Sequence, residues 1–148
     1  MQGVYRIDIQ IKRAELSDAA ALHRLNTAFN GDCTTEELII DSLQNNKSEI
    51  VLIAFANSSP AGFLCGEICR SMCYDTLHGT VGELFVEENY RRQGIAAKLI
   101  KKIENIFKKM DISIVDIATS VDNHTAQAFY SSCGYTGKTK MIYRKNII

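Results

Sequence analysis

The segment from Glu83 to Met110 constrains the fold more than any other. An apolar run, Leu84-Phe85-Val86, leads through a basic turn, Arg91-Arg92-Gln93-Gly94, into a stretch in which Ile95, Leu99, Ile103, Ile106 and Phe107 recur at helical spacing. A strand that passes directly into a long amphipathic helix belongs to a layered α/β architecture, with the apolar stripe of the helix laid on a sheet. The junction also carries chemistry. A tight glycine-containing turn at a helix start leaves backbone N–H groups unpaired, and with the positive end of the helix dipole they suit a phosphate or pyrophosphate. Gly94 lets a ligand approach the backbone, and Ala96 keeps the first helical turn free of bulk. Neither the Walker loop nor the three-glycine dinucleotide fingerprint is present, since Gly94 is the turn's one glycine. Taken alone, the pattern reads equally as a basic helix start with no ligand.

The flanking sequence extends the alternation of strands and helices. Ile7, Ile9 and Ile11 alternate with polar residues as in a strand, and Ser17 or Asp18 then caps a helix carrying Ala21, Leu22, Leu25, Ala28 and Phe29. Asn30-Gly31-Asp32 breaks it, and Thr34 with Glu37 forms a capping-box pattern ahead of a second helix. Glu49–Ala56 reads as a strand, residues 57–60 as a turn around the single proline, and Ala61 to about Tyr74 as another strand. A strand at 81–86, the helix at 92–110, a strand at 112–118, a short helix at 123–132 and a last strand near 140–144 complete the order. We expect one domain over residues 1–148: an α/β mixed sheet of about six or seven strands with helices on both faces. The lysines at 98, 101, 102, 108 and 109 read as a solvated helix face.

Composition narrows the function classes. With 17 basic and 17 acidic residues the formal net charge is zero, which argues against nucleic-acid binding through a broad basic field. No apolar run approaches the length of a membrane span, and no signal peptide is read at the N-terminus, so the expectation is a cytoplasmic protein. Five cysteines, at 33, 65, 69, 73 and 133, suggest reduced thiols. Cys65, Cys69 and Cys73 on one strand face would lie roughly 13 Å apart, too far to share an ion, so no metal is expected.

Two separated motifs carry a family resemblance. Glu83-Leu84-Phe85-Val86 followed by Tyr90-Arg91-Arg92-Gln93-Gly94-Ile95-Ala96 is similar to the fourth strand and pyrophosphate turn of the GNAT superfamily of acyl-CoA N-acyltransferases. Asn123-x-x-Ala126-x-x-Phe129-Tyr130-x-x-x-Gly134-Tyr135 resembles that family's later helix signature. The resemblance covers essentially the whole chain and implies acetyl-CoA as the cofactor. By it, backbone groups of Leu84, Phe85 and Val86 would pair with the pantetheine arm, beside a strand bulge. Those of Arg92, Gln93, Gly94, Ile95, Ala96 and Ala97 would hold the pyrophosphate, with Arg91 and Arg92 adding charge. Asn123, within the signature that includes Ala126, would hydrogen-bond pantetheine or serve as a plain helix cap.

The same resemblance implies an N-acetyltransferase working by direct attack of a primary amine in a ternary complex. Tyr130 is the candidate general acid for the departing thiolate, or else a packing residue. Glu83 is the candidate group that meets the amine, or else an ordinary polar strand position. A covalent route through Cys133 lacks a partnered histidine. Acceptors left open are a small polyamine, an aminoglycoside-like amine and a peptide N-terminus. Their specificity is expected from residues 30–37, 75–78 and 136–140, with Asp32, Glu36 and Glu37 attracting a cation. The alternative is a non-catalytic acyl-CoA-binding regulatory module. A homodimer is permitted by the final segment.

Overall fold

A computed structural model of the chain describes residues 6–148, so the first five residues, part of the signal-peptide reading, lie outside it. The chain divides into two compact units, with the boundary between Ala118 and Thr119.

The first unit is a five-stranded mixed sheet in the order β1-β2-β3-β4-β5. Its strands are β1 (Ile9–Arg13), β2 (Glu49–Ala56), β3 (Ser59–Cys69), β4 (His78–Val86) and β5 (Val115–Ile117), interleaved with helices α1 (Ala19–Asn30), α2 (Glu36–Asn45) and α3 (Ile95–Lys109). The first four strands are antiparallel neighbours, and β5 is parallel to β4. The sheet is therefore smaller than the six or seven strands expected. Residues 112–118 reduce to a three-residue strand, and the strand expected near 140–144 is not among the described elements. Lys140–Arg144 alternates in sequence, but a strand also needs a partner edge to complete its hydrogen bonds, which alternation alone does not supply.

Each face of this sheet carries its own core. Leu22 and Leu25 of α1 pack with Ile53, Phe63 and Phe85 on one face. On the other, α3 buries Ile95, Leu99, Ile100, Ile103 and Phe107. The helix lies so close that a Cβ placed on Gly66 would come 2.7 Å from Ile103 Cδ1, and one on Gly79 2.7 Å from the Phe107 ring. Glycine at these two positions is thus a packing requirement.

The helix and strand ends differ in detail from the sequence expectation. Thr35, not Thr34, caps α2, its Oγ1 accepting from the Leu38 N–H at 3.3 Å. Asp18 stands before α1, yet its carboxylate accepts from the Glu15 N–H at 2.8 Å and pairs with Lys12 at 2.8 Å. The hairpin between β2 and β3 closes through Asn57 and Ser58, both with positive φ (47° and 67°), the requirement of a two-residue turn that follows strand twist. Pro60 consequently falls inside β3. That strand ends at Cys69, so Cys73 does not share it; all five cysteines are free.

The second unit contains α4 (His124–Ser132), whose N-cap is Asn123. Among the described residues, no helix is long and apolar enough to cross a membrane.

Candidate active site

One irregularity organises the first unit. Cys65 of β3 faces Glu83 of β4, yet the next residue, Gly66, faces Val81. Gly82 is therefore an extra residue, a β-bulge. The bulge reverses the alternation of β4: Gly79 and Val81 turn toward α3, while Glu83 and Phe85 turn toward α1. The pairing of β4 with β5 runs only from Gly79 to Val81. Among the described residues, Gly82 to Val86 therefore has no strand partner on its β5 side, leaving a stretch of strand edge open.

On the α1 side of the sheet lies a cleft of about 270 Å³. Leu22, Leu38 and Phe63 give it apolar walls, and Glu49, Cys65 and Glu83 give it polar ones. Sheet register places Val51, Cys65 and Glu83 side by side across three strands. Glu49 accepts a hydrogen bond from Ser42 Oγ at 3.0 Å. Burial, and after it the negative charge of Glu49 and Glu83, pushes the Cys65 thiol far above the ordinary thiol range, so it stays protonated. From sequence Glu49 reads only as the start of a strand and Cys65 only as one of three spaced cysteines, because their meeting with Glu83 depends on register across three strands. The acidic residues expected to attract an acceptor, Asp32, Glu36 and Glu37, are exposed and do not line this cleft. Glu37 is held at the helix start, where its own backbone N–H and the Thr35 hydroxyl keep its carboxyl below the usual range. His78 stacks on Tyr74, ring centroids 5.4 Å apart.

Beyond Val86 the chain makes the basic turn. Arg92 and Gly94 both adopt positive φ, 61° and 81°. Gly94 is left-handed and forms the N-cap of α3, so the helix starts at Ile95 rather than near Arg92. The first helical N–H to find its carbonyl is that of Lys98, which donates to Gly94 O at 3.1 Å. The N–H groups of Ile95, Ala96 and Ala97 precede it and have no carbonyl within the helix. A Cβ on Gly94 would meet nothing within 4 Å, so the space beside the turn at Gly94 is open. Arg91 folds back, its Nε donating to Val86 O at 2.9 Å. The side-chain amide of Gln93 donates to Asn89 O at 3.4 Å, and its Oε1 is buried without a hydrogen-bond partner.

Tyr130, Asn123 and Ala126 belong to the second unit. Asn123 Oδ1 accepts from the Ala126 N–H at 3.1 Å, so the side chain does serve as a helix cap. Tyr130 sits between aromatic rings, 5.5 Å from Phe129 and 6.3 Å from Tyr135 by centroid. Burial, with a smaller contribution from Cys133, raises the pKa of its phenol, so the group keeps its proton.

The model of the acetyltransferase (GNAT) family matches residues 19–135. The chain belongs to the GNAT acetyltransferase family. Over 145 residues, 93% of this chain and 96% of the relative, it is 25% identical to an aminoglycoside N(6')-acetyltransferase type 1 from Acinetobacter baumannii. It is 32% identical over 84 residues to N-alpha-acetyltransferase 30 of Schizosaccharomyces pombe, a match spanning only 55% of either chain. The solved structure of AAC(6')-Iy in complex with a bisubstrate analog, CoA-S-monomethyl-acetylneamine, superposes with a TM-score of 0.82 at 19% identity, covering 94% of this chain and 99% of that one. GNAT proteins use acetyl-CoA as acyl donor, and the open β4 edge followed by the amide-lined Gly94 turn has the donor groups such a cofactor needs.

Proposed function

We propose that the chain transfers an acetyl group from acetyl-CoA to a primary amine by direct attack, with both substrates held at once. The observation that carries this reading is the position of Glu83. It is the first residue past the bulge, where β4 has left β5, and it also lines the cleft under α1. One residue thus stands where an open strand edge, suited to the pantetheine arm, meets a cavity suited to an acceptor.

Acetyl-CoA supplies an activated acyl thioester, and the protein supplies position and protons. Backbone groups of Leu84, Phe85 and Val86 line the pantetheine arm. The N–H groups at the start of α3, from the Arg92 turn through Gly94, Ile95, Ala96 and Ala97, face the pyrophosphate, where fixed donors and the helix dipole favour an anion. An amine near neutral pH is mostly ammonium, and Glu83 is the carboxylate that receives its proton, directly or through water. Tyr130 keeps its own proton because burial raises its pKa, and it gives that proton to the departing sulfur. The two carboxylates that line the cleft, Glu49 and Glu83, favour a small cationic amine over a peptide N-terminus.

The test combines calorimetric titration of acetyl-CoA with release of free thiol in the presence of a panel of amines. Tyr130→Phe should lower turnover while leaving acetyl-CoA affinity nearly unchanged. Tight cofactor binding without thiol release from any amine would replace the enzyme reading with that of a non-catalytic acyl-CoA-binding module.

A further inference from the structure

The cleft under α1 has a firm floor and a lightly held wall. Its floor is the sheet, where Val51, Phe63 and Cys65 stand on paired strands. Its wall runs from the end of α1 through residues 31–35 into α2, and contributes Asn26, Asn30, Thr34 and Leu38. α1 is seated by Leu22 and Leu25, both buried in the core. α2 is not seated in that way. None of its residues is buried, and Ile39 and Leu43 reach the same core while staying partly exposed. Hydrophobic stabilisation scales with the apolar area removed from water, so little of it fixes the position of this helix.

Polar contacts hold the wall instead. At its far end Ser42 Oγ donates to Glu49 at 3.0 Å. At its near end the backbone bonds of the connection stay local, Gly31 N–H to Thr27 O and Cys33 N–H to Gly31 O, each 3.0 Å. Two side chains of α1 reach across to it. Asn26 Nδ2 donates to Cys33 Sγ at 3.6 Å, and Asn26 Oδ1 in turn accepts from Asn30 at 2.9 Å. His23 Nε2 lies 3.1 Å from Thr34 O. A carbonyl oxygen only accepts, so Nε2 carries the proton and the imidazole is the donor. A thiol sulfur is a weak acceptor, which leaves the His23 bond as the stronger tie. It falls one residue before Thr35, the cap from which α2 starts. His23 is half-buried and is not among the residues that line the cleft.

We infer that His23 is a positioning residue for the acceptor: by holding Thr34 it sets the gap between Leu38 and the sheet, and so the place from which the amine attacks. This rests on the acetyl-transfer reading, and His23 takes no part in the proton transfers themselves.

The experiment uses reach to separate this role from simple loss of a side chain. In His23→Gln the amide nitrogen stands about where Nε2 stood, whereas in His23→Asn it falls a methylene short of Thr34 O. Each full-length protein is assayed for thiol release with n-pentylamine and with neamine as acceptors. Amide hydrogen exchange is followed in parallel at Leu38 and Ile39, whose N–H groups donate to Thr35. His23→Asn should raise KM for the amine by about fivefold, the loss expected of one hydrogen bond, with kcat and KM for acetyl-CoA nearly unchanged. It should also speed exchange at Leu38 and Ile39 while exchange in β2 and β3 stays as in the wild type. His23→Gln should restore both readouts toward wild-type values. An unchanged KM in His23→Asn, equal defects in the Gln and Asn variants, or a fall in kcat with KM for the amine unmoved would overturn the inference while acetyl transfer stands. No thiol release by the wild-type chain from any amine of the panel, these two included, would overturn the acetyl-transfer reading and this role with it, even where exchange at Leu38 still followed the reach of residue 23.

Discussion

Gly94 provides a test in which the sign of the effect, not merely its size, decides. At an ordinary backbone position, Gly→Ala stabilises a protein by about 0.4–1 kcal/mol, because the unfolded chain loses conformational freedom. Gly94 has φ 81° and ψ 8°, the left-handed region. There a Cβ approaches the following carbonyl oxygen at a cost of roughly 1–2 kcal/mol. No steric clash adds to this, since a Cβ at Gly94 would have nothing within 4 Å. The balance predicts that Gly94→Ala destabilises by about 1 kcal/mol, a fall of about 2–4 °C in Tm for a chain of this size. Gly94→Asn should cost less, because a short polar side chain tolerates this region, and the β-branched Gly94→Val should cost more. Urea unfolding of the four proteins measures the series. Coenzyme A affinity, read by calorimetry, should fall in the same order as the turn relaxes and its N–H groups lose alignment. A Gly94→Ala protein as stable as the wild type, or more so, would refute the left-handed turn and the amide cradle built on it.

Phe107 is fully buried and meets Gly66 and Gly79 across the α3 interface. Phe107→Ala should therefore cost about 3–5 kcal/mol in urea unfolding. Gly79→Ala should be damaging in the wild type and far milder beside Phe107→Ala, a coupling that a double-mutant cycle measures. Iodoacetamide at mildly alkaline pH should label the exposed Cys33, Cys69 and Cys73 well before Cys65, as read by peptide mass spectrometry, because Cys65 keeps its proton. Because the Tyr130 pKa is raised, its protonated form persists above the ordinary phenol value of about 10. Any alkaline loss of turnover due to Tyr130 should begin above that value and be absent from Tyr130→Phe. The associated stability is present at lower pH and lost as pH rises through the folded-state pKa.

The elements that sequence placed well are those whose signal is local. The boundaries of β2, Glu49–Ala56, follow from its apolar content and the turn residues after it, and α3 follows from the spacing of Ile95, Leu99, Ile103 and Phe107. Its start was misplaced toward Arg92 because the backbone there is left-handed, and an arginine gives no notice of a positive φ. Thr34 and Thr35 are both competent caps, and only the direction of the incoming chain selects the second. The cleft was the least legible feature. Glu49, Cys65 and Glu83 are far apart in sequence and meet only through the register of three strands, which itself shifts by one residue at Gly82. Asp32, Glu36 and Glu37 look more conspicuous in sequence because they are clustered, yet they face solvent outside the cleft.

The extra residue at Gly82 has a consequence for how such a protein can diversify. Before it, the odd-numbered residues of β4 turn toward α3; after it they turn toward α1, where Glu83 lines the cleft and Phe85 joins the core. A change at Glu83 therefore alters the cleft without touching Gly79 and Val81 on the α3 side of the sheet. A single strand thus serves both faces of the sheet with the same residue parity, the two uses separated by one glycine.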